Sequence, residues 1–272
     1  MDFLAGGVRK WNSCFVYLLP CLFLCASQAI LHAQTTEQAP LMGSAQSGNI
    51  KQELSLQDRA DIFMARKQYA DAVDYYRRAL NDQPKNPSSI WNKLGIAYQQ
   101  DMDFEAARKA YKKSISMQKD FAEPWNNLGT TFFLQGKPKK SIKFYKHAVE
   151  LKPTSASFRM NLGTAYYERK KYDKAIEEYH QALVLDPDVL LSHSGEGTVV
   201  EARSADAKFF FYLAKVFASL GRNEEAVRYL RRAMEEGFRF SKDLNEDPDF
   251  QKISADPAFV ELLRNPPLAI KD

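Results

Sequence analysis

Cysteine is scarce in this chain, and its scarcity excludes several kinds of chemistry. The 272-residue sequence contains three cysteines, Cys14, Cys21 and Cys25, and all of them lie in an apolar amino-terminal segment. If that segment is removed during export, the rest of the chain has no thiol and can form no disulfide, no thiolate metal site and no cysteine nucleophile. A stable fold must then come from packing, for which a content of 45% hydrophobic residues suffices.

Histidine and glycine are also too sparse to form familiar catalytic or nucleotide-binding motifs. Of the four histidines, His147 and His180 occupy predicted surface positions outside any His-Glu-x-x-His frame. Gly195 and Gly197 form an isolated pair, and residues 129–137 lack the spacing of a phosphate-binding loop. The sequence therefore predicts no catalytic residue, no cofactor and no metal, and we expect the protein not to be an enzyme.

No excess of one charge indicates a particular partner. The chain has 38 basic and 34 acidic residues, a formal net charge of +4. Basic residues such as Lys139, Lys140 and Lys143 collect on predicted turns and second helices, with acidic residues elsewhere among them. This pattern is typical of a solvated surface, and the alternative is attraction to an anionic membrane or envelope surface. Nucleic acid is not an expected partner of an exported chain.

The amino terminus has the organisation of a secretory signal. Arg9 precedes an apolar run at residues 15–26, and small residues follow at Ala29 and Ala33. We therefore predict a signal peptide over residues 1–33, cleaved after one of those two alanines, and a periplasmic or secreted protein.

Two further features belong to this region. The apolar run is short and contains Pro20, which makes an uncleaved membrane anchor the less favoured alternative. Residues 34–52 have little to bury and are predicted to form a flexible leader.

A two-part sequence motif recurs every 34 residues through the middle of the chain. Its first part joins a leucine–glycine pair to an aromatic residue, at Trp91, Leu94, Gly95 and Tyr98, then Trp125, Leu128, Gly129 and Phe132, then Leu162, Gly163 and Tyr166. Its second part is small, aromatic, small, at Ala107, Tyr111 and Ser114, then Ser141, Tyr145 and Ala148, then Ala175, Tyr179 and Ala182. A fixed period of this length is typical of stacked repeats. The motif resembles that of the tetratricopeptide repeat (TPR) family.

The resemblance implies an all-α fold, a right-handed superhelical solenoid of helix-turn-helix repeats. The apolar residues of each repeat also fall at helical spacing, and Pro153 and Pro187 stand where second helices should end. Because one helix pair cannot bury its own apolar face, neighbouring repeats must stack. Small residues such as Gly95 are expected to let two helix backbones approach closely.

The period also predicts the extent of the array. Five repeats are expected, at residues 53–86, 88–121, 122–155, 156–189 and 207–240. The first lacks the tryptophan and the leucine–glycine pair, as a terminal repeat can. The fifth repeat begins 51 residues after the fourth rather than 34, and the extra residues form a predicted inserted loop at residues 190–206.

Residues 241–272 are predicted to cap the array. Asp-Pro pairs begin at Asp247 and Asp256. Aspartate caps free helix amides and proline suits the first helical position, so two short helices are expected, near residues 248–254 and 257–264.

In TPR proteins the first helices line a concave groove that binds a peptide segment or a partner protein, and the resemblance implies the same role here. In the register of the leucine–glycine pairs, the groove positions are Asn92, Lys93, Ile96, Gln99, Asn126, Asn127, Thr130, Phe133, Met160, Asn161, Thr164 and Tyr167. The set is rich in amides, which can pair with the backbone of an extended ligand. The alternative is that asparagine merely tolerates half-exposed positions. Of the carboxylate clamp by which some TPR domains hold chaperone tails only Asn127 is matched, so a chaperone tail is not expected.

The sequence thus predicts a non-catalytic interaction scaffold outside the cytoplasm, with a peptide or protein partner in its groove. The alternative function is an envelope- or membrane-associated scaffold that acts through a basic convex face. The oligomeric state stays open.

Overall fold

The computed structural model describes residues 54–190, 206–240 and 243–270. Within these ranges the chain is helical and has no strand. The α-helices are α1 (Leu56–Ala65), α2 (Tyr69–Asn81), α3 (Pro87–Gln100), α4 (Phe104–Met117), α5 (Ala122–Leu134), α6 (Pro138–Leu151), α7 (Ala156–Glu168), α8 (Tyr172–Leu185), α9 (Ala207–Ser219), α10 (Asn223–Glu235), α11 (Pro248–Gln251) and α12 (Pro257–Arg264). The predicted signal peptide and leader, and most of the predicted loop, lie outside the described residues.

Local signals account for many of the helix ends. The carboxylate of Asp103 accepts a hydrogen bond from the Ala106 amide at 2.9 Å and so caps α4. Asp206 accepts from the amides of Lys208 and Phe209 and so caps α9, which begins at Ala207. The second helices α6 and α8 each end two residues before a proline, as predicted.

A tyrosine from the second helix packs against the glycine of the first helix in each central repeat. A Cβ added to Gly129 would lie 2.7 Å from Cδ1 of Tyr145, and the same pairing recurs between Gly95 and Tyr111. At Gly163 an added Cβ would also lie 3.3 Å from the backbone carbonyl of Ala175 on the second helix, a close approach of the kind expected at these small residues. Each glycine accommodates an aromatic ring, which lies between the two helices of its own repeat.

The turn between the two helices also repeats. One residue of each turn adopts positive φ: Lys67, Met102, Gly136, Lys170 and Gly221. In the third repeat the Lys137 amide then donates to the carbonyl of Phe132 at 2.9 Å, and the other turns form the equivalent bond to an aromatic residue of their own first helix. This arrangement satisfies carbonyl groups that a helix end leaves free.

The helices stack in the order of the sequence. From α1 to α10 each helix contacts the next, and α5 also contacts the first helices of both neighbouring repeats, α3 and α7. Between repeats, Ala148 packs with Ala122 and Phe158 in one buried cluster. Contacts between neighbours alone are what a one-dimensional repeat array requires. The predicted all-α fold, a solenoid of tandem helix-turn-helix repeats, is confirmed.

The chain after α10 packs on the fifth repeat. Phe250 and Phe259 are fully buried and stack with their ring centroids 5.8 Å apart. They belong to the same apolar core as α9 and α10. The helix α12 has the predicted bounds, whereas α11 ends at Gln251, earlier than the predicted residue 254.

Candidate functional site

The predicted groove residues lie on α3, α5 and α7, and most of them are buried. Four are half-buried and so accessible: Lys93, Ile96, Gln99 and Asn127. The remaining eight are buried: Asn92, Asn126, Thr130, Phe133, Met160, Asn161, Thr164 and Tyr167. The accessible part of the predicted site therefore belongs to the second and third repeats.

The asparagines form a ladder between repeats. The side-chain amide of Asn127 donates to Oδ1 of Asn92 at 3.0 Å, and that of Asn161 donates to Oδ1 of Asn126 at 3.0 Å. Asn126 in turn donates to Oδ1 of Asn127 at 3.3 Å. The ladder satisfies polar groups that burial would otherwise leave without water, so its first role is to join neighbouring first helices.

Asn127 is the member of the ladder that can also contact a ligand. It is half-buried, whereas Asn126 and Asn161 are 1% and 0% exposed. A primary amide has two hydrogens and its oxygen has two lone pairs. Asn127 therefore keeps one donor and one acceptor position after its two ladder bonds.

Gln99 also keeps a polar group that a ligand can reach, because its repeat has an isoleucine where the next two repeats have a threonine. In the third and fourth repeats the buried tyrosine donates to a threonine of the first helix, as from Tyr145 to Thr130 at 3.0 Å. The second repeat has Ile96 in place of that threonine, so the hydroxyl of Tyr111 donates to Oε1 of Gln99 at 3.3 Å instead. Thr131 donates to the same oxygen at 2.8 Å. The amide nitrogen of Gln99 is the group left to bind a ligand carbonyl.

An ion pair lies beside these amides. Nζ of Lys93 is 2.6 Å from Oδ2 of Asp61, and the two side chains are 33% and 38% exposed. The hydroxyl of Tyr76 donates to the other oxygen of Asp61. Burial, together with this carboxylate, raises the pKa of Tyr76. The charges of Lys93 and Asp61 thus balance each other, and the accessible surface of the first helices offers mainly amide and apolar contacts.

The fourth repeat differs from the prediction. Met160, Asn161 and Thr164 have no exposed surface in this structure, so the prediction that they line an open groove is wrong for these three residues. Thr164 donates to the carbonyl of Met160 at 2.8 Å and accepts from the hydroxyl of Tyr179 at 3.3 Å. Their polar atoms serve the packing of α7 against its neighbours.

Tyr167, the last predicted groove residue, is also drawn into the interior. It is 6% exposed, and its hydroxyl donates to Asp206 at 2.8 Å. Burial raises the pKa of Tyr167, and the carboxylate of Asp206 raises it further. The tyrosine therefore ties α7 to the start of α9 as a neutral hydrogen-bond donor.

No groove residue is predicted in the fifth repeat, although α9 carries Tyr212 and Lys215 at the register of Asn161 and Thr164. Nζ of Lys208 lies 4.0 Å from the ring centroid of Tyr172, in a cation–π contact. Lys215 pairs with Asp247 at 2.5 Å and with Asp249 at 3.2 Å. A shift of the repeat frame by 51 residues relates Lys215 to Thr164 of the predicted groove set, whereas Lys208 corresponds to Ser157, which lies outside that set.

The described residues carry few signs of other site types. In those parts of the chain, no group of three or more histidine, aspartate or glutamate side chains is arranged to hold a metal ion. No helix among the same residues has the length and apolarity needed to cross a membrane.

Tandem helix pairs that stack through a repeated core, with polar side chains on one helix of each pair, define a helical-repeat interaction scaffold. The chain belongs to the tetratricopeptide repeat family. Tetratricopeptide repeat models match residues 122–155 and 156–189, and also 88–121 and 207–236, while a TPR repeat model matches residues 60–101. The predicted family is confirmed.

Several solved structures are similar to parts of the chain at low sequence identity. No curated protein sequence matches the chain. A crystal structure of MamA matches at 22% identity, with a TM-score of 0.47, over 66% of this chain and 94% of that one. Residues 41 to the end of MamA from Desulfovibrio magneticus RS-1 match at 18% identity and a TM-score of 0.47, over 66% and 92% of the two chains. The structure of YrrB, described as a TPR protein with an unusual peptide-binding site, matches at 17% identity and a TM-score of 0.44, over 69% and 88%.

Proposed function

We propose that this TPR protein is a non-catalytic scaffold that binds an extended segment of a partner protein on the first helices of its second and third repeats. The observation that carries the proposal is the accessible row formed by Lys93, Ile96, Gln99 and Asn127. Gln99 and Asn127 retain donor or acceptor positions that match a peptide backbone. Ile96 lies between the two amides in sequence register and supplies apolar contact.

The proposed ligand contacts are distinct from the groups that hold the array together. Asn161 makes the same type of ladder bond as Asn127 and is fully buried. Asn127→Ala and Asn161→Ala each remove a ladder bond to the preceding first helix, but only the first removes a group that a ligand can reach. The two substitutions form a matched pair.

The experiment starts from a partner recovered with the full-length chain and identified by mass spectrometry. Its affinity for the wild type and both variants is then measured by calorimetric titration. We expect Asn127→Ala to weaken binding by roughly two- to twelvefold, the equivalent of about 0.5–1.5 kcal/mol for one hydrogen bond. Asn161→Ala should lower the melting temperature and leave the affinity unchanged. Equal affinities for the wild type and Asn127→Ala would remove this surface from the binding site.

We also propose that the scaffold acts outside the cytoplasm, after cleavage of residues 1–33. The support is the basic, apolar and small-residue order of that segment, together with the confinement of all three cysteines to it. The intact mass of the protein recovered from an envelope or secreted fraction distinguishes the cleaved chain from a chain that keeps its amino-terminal segment. A chain that begins at Ile30 or Gln34 is expected, and a mass that retains residues 1–29 would show a membrane anchor instead.

A further inference from the structure

Two cavities open beside Trp125, on the side of the array that carries the second helices α4 and α6. One has a volume of about 440 Å³ and is lined by Trp125, Lys143, Phe144, Lys146, His147 and Glu150. The other has a volume of about 530 Å³ and is lined by Lys112, Ile115, Ser116, Lys119, Asp120, Trp125, His147 and Leu151. Both volumes fall in the roughly 300–1,000 Å³ range of ligand pockets. We call the two together the Trp125 cleft.

Trp125 and His147 separate the two cavities. Their ring centroids are 4.2 Å apart and the rings meet edge to face. The indole nitrogen of Trp125 donates to the carbonyl of Lys119 at 3.0 Å, and Nδ1 of His147 lies 3.2 Å from the carboxylate of Glu150. Both rings are thus held in place, with an apolar recess on each side.

The fourth repeat stacks without this pair of aromatic residues. In the fourth repeat the positions equivalent to Trp125 and Phe144 hold Arg159 and Glu178, which form an ion pair of 3.0 Å. Trp125 recurs as Trp91 in the second repeat, whereas Phe144 is replaced by Ala110 there and by Glu178 in the fourth repeat, so Phe144 is the residue that sets the third repeat apart from its neighbours. Because the fourth repeat holds an ion pair at these two positions and the second holds an alanine at that of Phe144, the stacking of repeats does not by itself require the aromatic ring of Phe144.

The charge around the cleft also departs from the neighbouring repeat. Lys112, Lys119, Lys143 and Lys146 are exposed at its rim. In residues 54–190, the structure places no carboxylate within ion-pair distance of these four ammonium groups. Four lysines against Asp120 and Glu150 leave an excess of positive charge. The cleft thus combines an apolar floor with a cationic rim.

We propose that the Trp125 cleft is a second docking site, independent of the first-helix surface, and that it binds an acidic amphipathic helix of a partner protein. Apolar side chains one helical turn apart would enter the two recesses, and flanking carboxylates would meet the lysines. A membrane surface fits less well. The apolar side chains of the cleft are half-buried, and its indole is bonded to the backbone, whereas a membrane-binding helix projects its apolar side chains into the lipid.

The test uses the full-length chain and a fluorescent peptide with leucines at helical spacing on one face and glutamates beside them. A peptide of the same composition with the spacing scrambled is its control. The key variant is the double substitution Trp125→Arg with Phe144→Glu, because it installs the ion pair that the fourth repeat already accommodates. Fluorescence anisotropy should show the patterned peptide binding the wild type, and the variant should weaken that binding by about tenfold or more. The melting temperature of the variant should stay near that of the wild type.

Charge is tested in the same way. Lys143→Glu with Lys146→Glu should also weaken binding by about tenfold, and more at low salt than at high salt. Arg228→Glu with Arg231→Glu makes the same change of charge on α10, away from the cleft, and should leave the affinity within about twofold. Equal binding of both peptides, or full binding by the Trp125→Arg, Phe144→Glu protein, would overturn the proposal. Binding to phosphatidylglycerol vesicles that is lost in that variant, without peptide binding, would overturn it in favour of a lipid surface.

Discussion

At the scale of single residues, the central repeats depend on the missing side chain of Gly129. The Tyr145 ring that lies against it is fully buried and held at its far end by the bond from its hydroxyl to Thr130. The ring therefore cannot swing away to make room for a new side chain. The equivalent pairs in the second and fourth repeats are constrained in the same way by Gln99 and Thr164.

We expect Gly129→Ala to destabilise the protein by about 1–3 kcal/mol, because the added methyl group would overlap the ring. Lys139→Ala, at an exposed position of α6, should change the stability little. Urea unfolding followed by circular dichroism measures both. Equal midpoints for the two variants would mean that the ring can relax, and that the repeat is less tightly packed than the structure shows.

At the scale of the element, the helix-turn-helix unit relies on one residue with positive φ. Gly136 and Gly221 fill this position without steric cost, whereas Met102 and Lys170 hold φ values of 63° and 57° there. A side chain in the left-handed region costs roughly 1–2 kcal/mol, against about 0.5–1 kcal/mol of extra unfolded-state entropy for glycine. Met102 and Lys170 in the turns of the second and fourth repeats therefore make the protein less stable than glycine would at the same positions.

Met102→Gly is therefore expected to stabilise the protein by up to about 1 kcal/mol, which raises the melting temperature by roughly 2–4 °C for a protein of this size. Lys171→Gly is the matched control, since Lys171 has a φ of −94° and gains nothing from glycine. Differential scanning calorimetry can compare the two. A lower melting temperature for Met102→Gly would show that the side chain of Met102 contributes more than its backbone strain costs.

At the scale of the whole molecule, the array presents two surfaces of different chemistry. The first helices of the second and third repeats carry accessible amides beside a balanced ion pair, whereas the Trp125 cleft is apolar and cationic. Salt should therefore distinguish the two proposed binding sites, because screening weakens exposed charge contacts far more than amide hydrogen bonds. At the end of the described array, Phe250 and Phe259 join the core of the last repeat.

Much of this architecture could be predicted from the sequence, because its signals are local. The 34-residue period indicated the helix pairs, prolines marked the ends of α6 and α8, and Asp-Pro pairs marked the starts of α11 and α12. Each of these signals acts within a few residues of the place it determines. Spacing alone could not show that Gly129 accommodates a ring, since the tyrosine comes from the other helix of the repeat.

The sequence by itself determined which face of each first helix looks towards the predicted groove, and the tertiary structure alone decided which side chains on that face stay accessible. Asn127 and Asn161 share one register position, yet the first is half-buried and the second has no exposed surface. Exposure depends on contacts between residues 35 positions apart, such as the bond from Asn161 to Asn126. The same holds for the Trp125 cleft, where α4, α5 and α6 meet. A periodic sequence repeats the direction of a side chain, but the packing of neighbouring repeats decides whether solvent or a ligand can reach it.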